Sequence, residues 1–144
     1  MNPIATTGYE SETQPDVISR LKAAGIELVI DVRAVASSRR AGFSKTLLAG
    51  SLREAGIDYL HLRDLGTPKA GRQAARAGRF AEMQAIFSDH MQEPQAQLAL
   101  VQATEATVAR RSCLLCYEHD PAHCHRTIVA GLIAERTGAP ILHL

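Results

Sequence analysis

The chain alternates short apolar runs with longer segments in which apolar residues recur at helical spacing, and no internal repeat interrupts this order. Such alternation of strands and helices is typical of α/β domains. The apolar runs predict strands over residues 4–9, 27–32, 57–62, 112–117 and 140–144. The segments with helical spacing predict helices over residues 13–24, 45–55, 80–91 and 94–110, and a last one that begins near Cys124. The sequence therefore predicts a three-layer sandwich with a mostly parallel, doubly wound sheet of about five strands.

Residues 64–78 have the composition of a loop. They contain three glycines and Pro68, and these residue types are typical of turns. We therefore expect a loop here, and its glycines and arginines make it a candidate lid over a ligand. The alanines of the same stretch leave a plain helix as the alternative.

The length and the cysteines narrow the class of protein. A chain of 144 residues matches one ordinary domain, so residues 1–144 are expected to form a single unit. No apolar run approaches the ~20 residues needed to cross a bilayer, and residues 1–10 lack the pattern of a secretory signal. The three cysteines all fall within residues 113–124, which argues against a disulfide framework. We expect a soluble, cytoplasmic protein with free thiols.

Positive charge is concentrated in one part of a nearly neutral chain. The formal net charge is +1, yet residues 33–79 contain ten Lys and Arg against three Asp and Glu. A neutral total argues against a protein that coats nucleic acid, whereas a local surplus of arginine suits a phosphate, a carboxylate or a short stretch of polyanion. A solvated charged surface is the alternative interpretation.

Residues capable of chemistry follow the predicted strands where each strand ends. Glu10 comes after the first strand, Asp31 and Arg33 end the second, His61 ends the third, and Glu118 follows the fourth. In open parallel sheets, ligands bind beyond the carboxyl ends of the strands. The sequence therefore predicts that these side chains share one crevice.

The segment 112–126, SCLLCYEHDPAHCHR, is the richest in such residues. It lies between the fourth strand and the last helix, whose free N–H groups and positive dipole end would point into the crevice. Arg126 would add further donors for an anion. The same position near a helix start, beside His125 and Arg126, favours a reactive thiolate at Cys124. Cys124 precedes Arg126 by only two positions, however. In the anion-binding loop of phosphatases, the catalytic cysteine and the arginine are further apart, so the spacing does not match.

Two other interpretations of this segment stay open. Cys116, Glu118, Cys124 and His125 offer ligands for a metal ion, with His119 and His123 as substitutes, although the spacing is irregular for a zinc ribbon. Alternatively, the cysteines are small core residues and the polar side chains only fix the loop. Cys113, inside the predicted strand, best fits that structural role.

Four ordered motifs resemble the domain of unknown function 488 family. They are T-x-G-Y-E near the start, D-V-R-x₄-S-R-x₂-G-F-S-K, Y-x-H-L-x-x-L-G, and L-x-C-Y-E-x-D-P-x-x-C-H-R near the end. The resemblance extends from Thr7 to about Glu135 and departs from the family pattern at residues 34–37, where a proline is usual. Members are mostly uncharacterised bacterial and archaeal proteins. The resemblance implies an α/β fold with the motif residues lining one pocket, and it supplies no substrate.

These observations predict a small enzyme acting on a phosphorylated or otherwise anionic substrate, with a nucleotide as one candidate. The residues expected to do the chemistry are Asp31, Glu118, Cys124 and His125. Those expected to bind the substrate are Glu10, Arg33, Ser38, Arg39, Lys45, His61 and Arg126. In this prediction Cys124 is the nucleophile or a redox-sensitive group, and Asp31 or Glu118 is the general acid or base.

The alternatives are a non-catalytic module that binds a nucleotide or nucleic acid, and a metal-binding protein. The sequence assigns no cofactor and no membrane partner. Apolar positions on the helices, such as Leu98 and Val101, either pack on the sheet or form a homodimer interface.

Overall fold

The computed structural model describes residues 1–144 and contains one sheet of five parallel strands. The strands are β1 (Ile4–Gly8), β2 (Leu28–Asp31), β3 (Asp58–His61), β4 (Ser112–Cys116) and β5 (Ile141–His143). They lie in the order β3-β2-β4-β1-β5. The central strands β1, β2 and β4 are buried along their whole length, and burial on both faces explains the mainly apolar sequences of β2 and β4.

Six α-helices connect the strands. They are α1 (Gln14–Ala23), α2 (Lys45–Glu54), α3 (Lys69–Arg76), α4 (Phe80–His90), α5 (Pro94–Ala109) and α6 (His125–Thr137). Short 3₁₀ turns at Arg63–Leu65 and Pro121–His123 follow β3 and β4. The Thr13 hydroxyl accepts from the backbone N–H of Asp16 and so caps the start of α1. No helix is both long enough and apolar enough to span a membrane.

Two hydrophobic cores lie on opposite faces of the sheet. Helices α1 and α2 cover one face, where Leu21 and Leu48 pack with the strand residue Val29. Helices α3 to α6 cover the other face, where Phe87 and Ile133 are among the buried residues. The predicted three-layer α/β sandwich is therefore confirmed, and its sheet is parallel throughout.

The prediction of a loop over residues 64–78 is wrong, because α3 occupies half of that stretch. Its alanines favour a helix, and the buried Ala74 packs into the core with α4. Gly71 lies within the helix where a larger residue would not fit, because a Cβ atom there would come within 2.4 Å of Thr67 Cγ2. Close packing, and not a turn, explains this glycine.

After β2 and after β4, the chain turns towards opposite edges of the sheet. From β2 it continues through α2 to the neighbouring edge strand β3, on one face of the sheet. From β4 it continues through α6 across β1 to β5, on the other face. The two connections diverge and leave a crevice at the carboxyl ends of β2 and β4. This is the topological switch point where α/β proteins bind ligands.

Candidate active site

A cleft of about 1000 Å³ opens at this crevice. Its floor contains the end of β4 and the start of α6, with Cys116, Glu118 and His125. One wall is the loop 33–40, and the facing wall consists of α3 and the start of α4. Because each wall belongs to a different connection, the cleft forms only when the sheet is complete.

Arg33 and Asp31 form a buried ion pair beside the cleft. The Arg33 side chain donates to both carboxylate oxygens of Asp31, with Nε–Oδ1 at 2.9 Å and Nη2–Oδ2 at 2.7 Å. Its Nη1 donates to the Tyr9 hydroxyl at 2.9 Å and to the Phe43 carbonyl at 2.8 Å. Burial opposes the charge, but the bonds and attraction to Asp31 raise the pKa of Arg33 above its usual value. The guanidinium thus joins β1, β2 and the loop before α2.

The Tyr59 hydroxyl donates to Asp31 Oδ2 at 2.5 Å and completes this network. Burial and the negative charge of Asp31 together raise the pKa of Tyr59 above its usual value. The carboxylate of Asp31, which has no exposed surface, therefore accepts from the Arg33 guanidinium, from the Tyr59 hydroxyl and from the backbone N–H of Arg33 at 3.1 Å. Asp31 itself does not line the cleft.

Replacement of Tyr59 by Phe is expected to lower the free energy of unfolding by about 1.5 kcal/mol, because a hydrogen bond to a charged acceptor is lost. Urea denaturation checks this value. Tyr117→Phe is the matched control, since Tyr117 is 42% exposed and should be nearly neutral. Equal stability of the two variants would contradict the assignment.

Cys116, Cys124 and His125 form a compact buried group. The distance from Cys116 Sγ to His125 Nδ1 is 3.7 Å, and that from Cys124 Sγ to His125 Nδ1 is 4.0 Å. All three possible ligand atoms lie within 4.8 Å of one another. Glu118 borders the group, with its Oε2 at 3.5 Å from Cys116 Sγ. The chain brings them together because β4 ends at Cys116 and α6 begins directly after Cys124.

The surroundings shift the pKa values of the residues in this group in different directions. Burial opposes ionisation of Cys124, but hydrogen bonds from Cys116 and His125 hold its pKa well below the usual value. The hydrogen bond with Cys124 and burial raise the pKa of Cys116. Burial and the nearby Cys124 raise the pKa of Glu118. The pKa of His125 is raised as well, because Cys124 outweighs the effect of burial. Of the two cysteines in the group, Cys124 is therefore the one whose ionisation the surroundings favour.

Arg126 is buried and donates hydrogen bonds to the loop between β4 and α6. Its guanidinium donates from Nη1 to the Glu118 carbonyl at 2.5 Å and from Nη2 to the His119 carbonyl at 3.2 Å. With only 1% of the residue exposed, Arg126 does not line the cleft. The sequence predicts an anion at this arginine, whereas in the structure its two terminal nitrogens hold the backbone that carries Glu118, and its Nε is buried without a partner.

Five arginines line the cleft, and four of them stand on its walls beside the ion-paired Arg33. Arg40 and Arg72 already donate to backbone carbonyls, those of Glu12 and Thr67. Arg39 and Arg76 are exposed and take no part in the five ion pairs of the protein. Their charges are therefore available to a ligand in the cleft.

The structure brings only some of the predicted site residues to the cleft surface. Those that line it are Glu10, Arg33, Ser38, Arg39, Glu118 and His125. Those that do not are Asp31, Lys45, His61, Cys124 and Arg126. Cys124 lies in the buried group behind the surface, and His61 Nε2 is 2.8 Å from the Arg33 carbonyl, which it helps to position.

Sequence reasoning missed the contribution of α3 and α4. Arg72 and Arg76 line the cleft from α3, and Phe80 at the start of α4 stacks on the His123 ring at 3.9 Å between centroids. The spacing of four residues between the two arginines predicts a shared face if the segment is helical. The loop assignment concealed this signal.

The fold and this cleft define an α/β protein with a buried Cys/His group under an arginine-lined crevice. The family model described as "Domain of unknown function DUF488" matches residues 14–133 of the chain. The chain belongs to this family, as its motifs indicate. No curated protein and no solved structure matches it.

Proposed function

We propose that the protein is an enzyme that acts on a phosphorylated or otherwise anionic substrate bound in this cleft. The observation that carries the proposal is the pairing of free arginines on the walls with a Cys/His/Glu group on the floor. Anion-binding and reactive groups thus face the same volume. A solvated charged surface would not require this arrangement.

The size of the cleft favours a substrate as large as a nucleotide. Its volume of about 1000 Å³ lies at the upper end of the range for small-molecule sites. Arg39 and Arg76 approach from opposite walls, which suits the several charges of a di- or triphosphate. Tyr117, which is 42% exposed, lines the same cleft and offers a ring face to a base.

Glu118 is the best placed group for proton transfer in this proposal. It lines the cleft, and Arg126 fixes its backbone carbonyl. Of the two thiols in the buried group, only Cys116 lines the cleft, while Cys124 lies behind it. Direct attack by Cys124 is therefore less favoured by the geometry than its position in the sequence suggests, and His125 and Cys116 are the members that face a substrate.

The arginines provide the first test, with ATP and inorganic pyrophosphate as probes. Arg39→Ala and Arg76→Ala are each expected to weaken binding about tenfold, equivalent to about 1.4 kcal/mol, because one charge-assisted contact is lost. Isothermal titration calorimetry measures the affinity. Arg53→Ala is the matched control, since Arg53 is an exposed arginine on α2 outside the cleft, and it should bind as the native protein does.

The outcomes separate the enzyme from a non-catalytic binding module. Binding that depends on Arg39 and Arg76, with phosphate release that is abolished in Glu118→Gln, supports the enzyme. The same binding without turnover of any phosphorylated probe favours the module. A nucleic-acid probe that binds with a steep salt dependence would favour a phosphate-backbone surface. Equal affinities of the Arg39→Ala, Arg76→Ala and Arg53→Ala variants would exclude the cleft as the anion site.

A further inference from the structure

We propose that Cys116, Cys124 and His125 bind one Zn²⁺ ion, with the fourth coordination position open to the cleft. The inference deepens the proposed function, because it names the reactive centre under the arginine walls. Zinc binding itself needs no substrate, so it can be tested separately. Two thiolates and an imidazole are ligands that zinc prefers over magnesium or calcium.

The two sulfur–nitrogen distances in the group are close to those around tetrahedral zinc. Zinc–sulfur and zinc–nitrogen bonds of about 2.3 and 2.0 Å at a tetrahedral angle require a sulfur–nitrogen separation of about 3.5 Å. The two distances in the structure are 3.7 Å from Cys116 Sγ and 4.0 Å from Cys124 Sγ to His125 Nδ1. Movements of a few tenths of an ångström would therefore bring both sulfur–nitrogen distances to the values for zinc. The two sulfur atoms lie within 4.8 Å of each other, compared with about 3.8 Å across a tetrahedral zinc ion.

The second nitrogen of His125 is fixed by the main chain. Its Nε2 lies 2.7 Å from the carbonyl oxygen of Val32, which only accepts hydrogen bonds. Nε2 therefore carries a proton, and Nδ1 points at the two sulfur atoms. An outer hydrogen bond to a carbonyl that orients a histidine is characteristic of zinc ligands. Val32 lies on the segment after β2, so this contact joins the two strands of the switch point.

The surroundings fit a reactive zinc site better than a purely structural one. Structural zinc sites use four protein ligands, whereas catalytic sites use three and keep one position for water or substrate. Only three ligand atoms converge here, and two of their residues, Cys116 and His125, line the cleft. The Glu118 carboxylate lies beside them, at 3.5 Å from Cys116 Sγ. It is placed to accept a proton from a water molecule in the open position.

Cys113 supplies a matched control. It lies three residues from Cys116 in the same strand, but it belongs to the core on the opposite face of the sheet. Burial raises the pKa of Cys113 to about 12, which disfavours the thiolate that a metal requires. Replacement of Cys113 by Ala therefore removes a thiol without changing the proposed site.

The experiment is a titration of chelator-treated full-length protein with Zn²⁺, and with Co²⁺ as a spectroscopic probe. We expect one metal ion per chain, a thiolate-to-cobalt absorption band, and protection of two of the three thiols from a thiol reagent. Cys116→Ser and Cys124→Ser should each lower the zinc affinity at least tenfold and weaken the band. Cys113→Ala should behave as the native protein does, and circular dichroism establishes that each variant is folded.

Each alternative outcome is distinct. Zinc that is retained by the Cys116→Ser/Cys124→Ser double variant would place the metal on other residues, such as His119 and His123, and would overturn the proposal. Native protein with three reactive thiols and no bound zinc, or with a disulfide between Cys116 and Cys124, would also overturn it. A failure of the arginine variants to alter ATP binding would leave a zinc result intact, so the two proposals fail separately.

Discussion

Replacement of Asp31 by Asn is expected to lower the free energy of unfolding by about 3–5 kcal/mol, because it leaves the Arg33 guanidinium buried without a full countercharge. Arg33 is only 5% exposed and donates to both oxygens of Asp31. An amide keeps the shape but supplies one acceptor and no charge. Urea denaturation, with the slope checked for constancy, measures the loss.

Asp58→Asn is the matched control for this prediction. Asp58 forms an ion pair with Arg110 at 2.8 Å, but its side chain is 64% exposed. Solvent screens such a pair, so the expected change is below about 1 kcal/mol. In addition, Asp31→Leu combined with Arg33→Met should be less destabilising than Asp31→Leu alone, since no unpaired charge remains. Similar losses for Asp31→Asn and Asp58→Asn would refute the role assigned to the buried pair.

Gly8→Ala is expected to displace the loop that carries Glu118 and to destroy zinc binding. A Cβ atom at Gly8 would lie 1.8 Å from the Glu118 carbonyl oxygen and 3.0 Å from Arg126 Nη1. Atoms cannot approach so closely, so the Glu118 peptide must move by more than an ångström. That movement breaks the bond from Arg126 that holds the loop. We expect a loss of stability of about 3 kcal/mol, at the upper end of the usual range for overpacked cores.

Gly50→Ala is the matched control, because it tests whether the effect of Gly8→Ala comes from the crowding at Gly8 or from any replacement of glycine by alanine. Gly50 lies within α2, and a Cβ atom there would meet nothing within 4 Å. Alanine at this position should stabilise the helix by about 0.5–1 kcal/mol. Zinc stoichiometry and urea denaturation are measured for both variants. Native zinc binding in folded Gly8→Ala protein would show that the loop after β4 does not position the site.

Much of the architecture follows from local signals in the sequence. Residues 28–31 and 112–116 form strands because they are nearly continuous apolar runs, and such runs suit parallel strands covered on both faces. The placement of Glu10, Arg33 and Glu118 at one edge follows from the same reasoning, because parallel strands end on the same side. The family motifs coincide with these strand ends.

The sequence did not reveal which arginines have side-chain donors left over for a ligand. Arg126 and Arg33 resemble anion-binding arginines in the motifs, yet in the structure their donors are largely used by carbonyls, the Tyr9 hydroxyl and the carboxylate of Asp31. Arg76, which no motif marks, remains exposed on the cleft wall. Whether a guanidinium is satisfied depends on partners that are distant in sequence. Local patterns contain no information about them.

By itself, the sequence determined the α/β class, the approximate strand positions and the edge of the sheet where the candidate site residues gather, because hydrophobic periodicity and strand direction are local properties. Only the tertiary structure decided the strand order β3-β2-β4-β1-β5 and the helical state of residues 69–76. It also decided the convergence of Cys116, Cys124 and His125. The carbonyl of Val32 orients His125 across 93 positions of the chain. Contacts of that range exist only once the sheet has brought β2 beside β4.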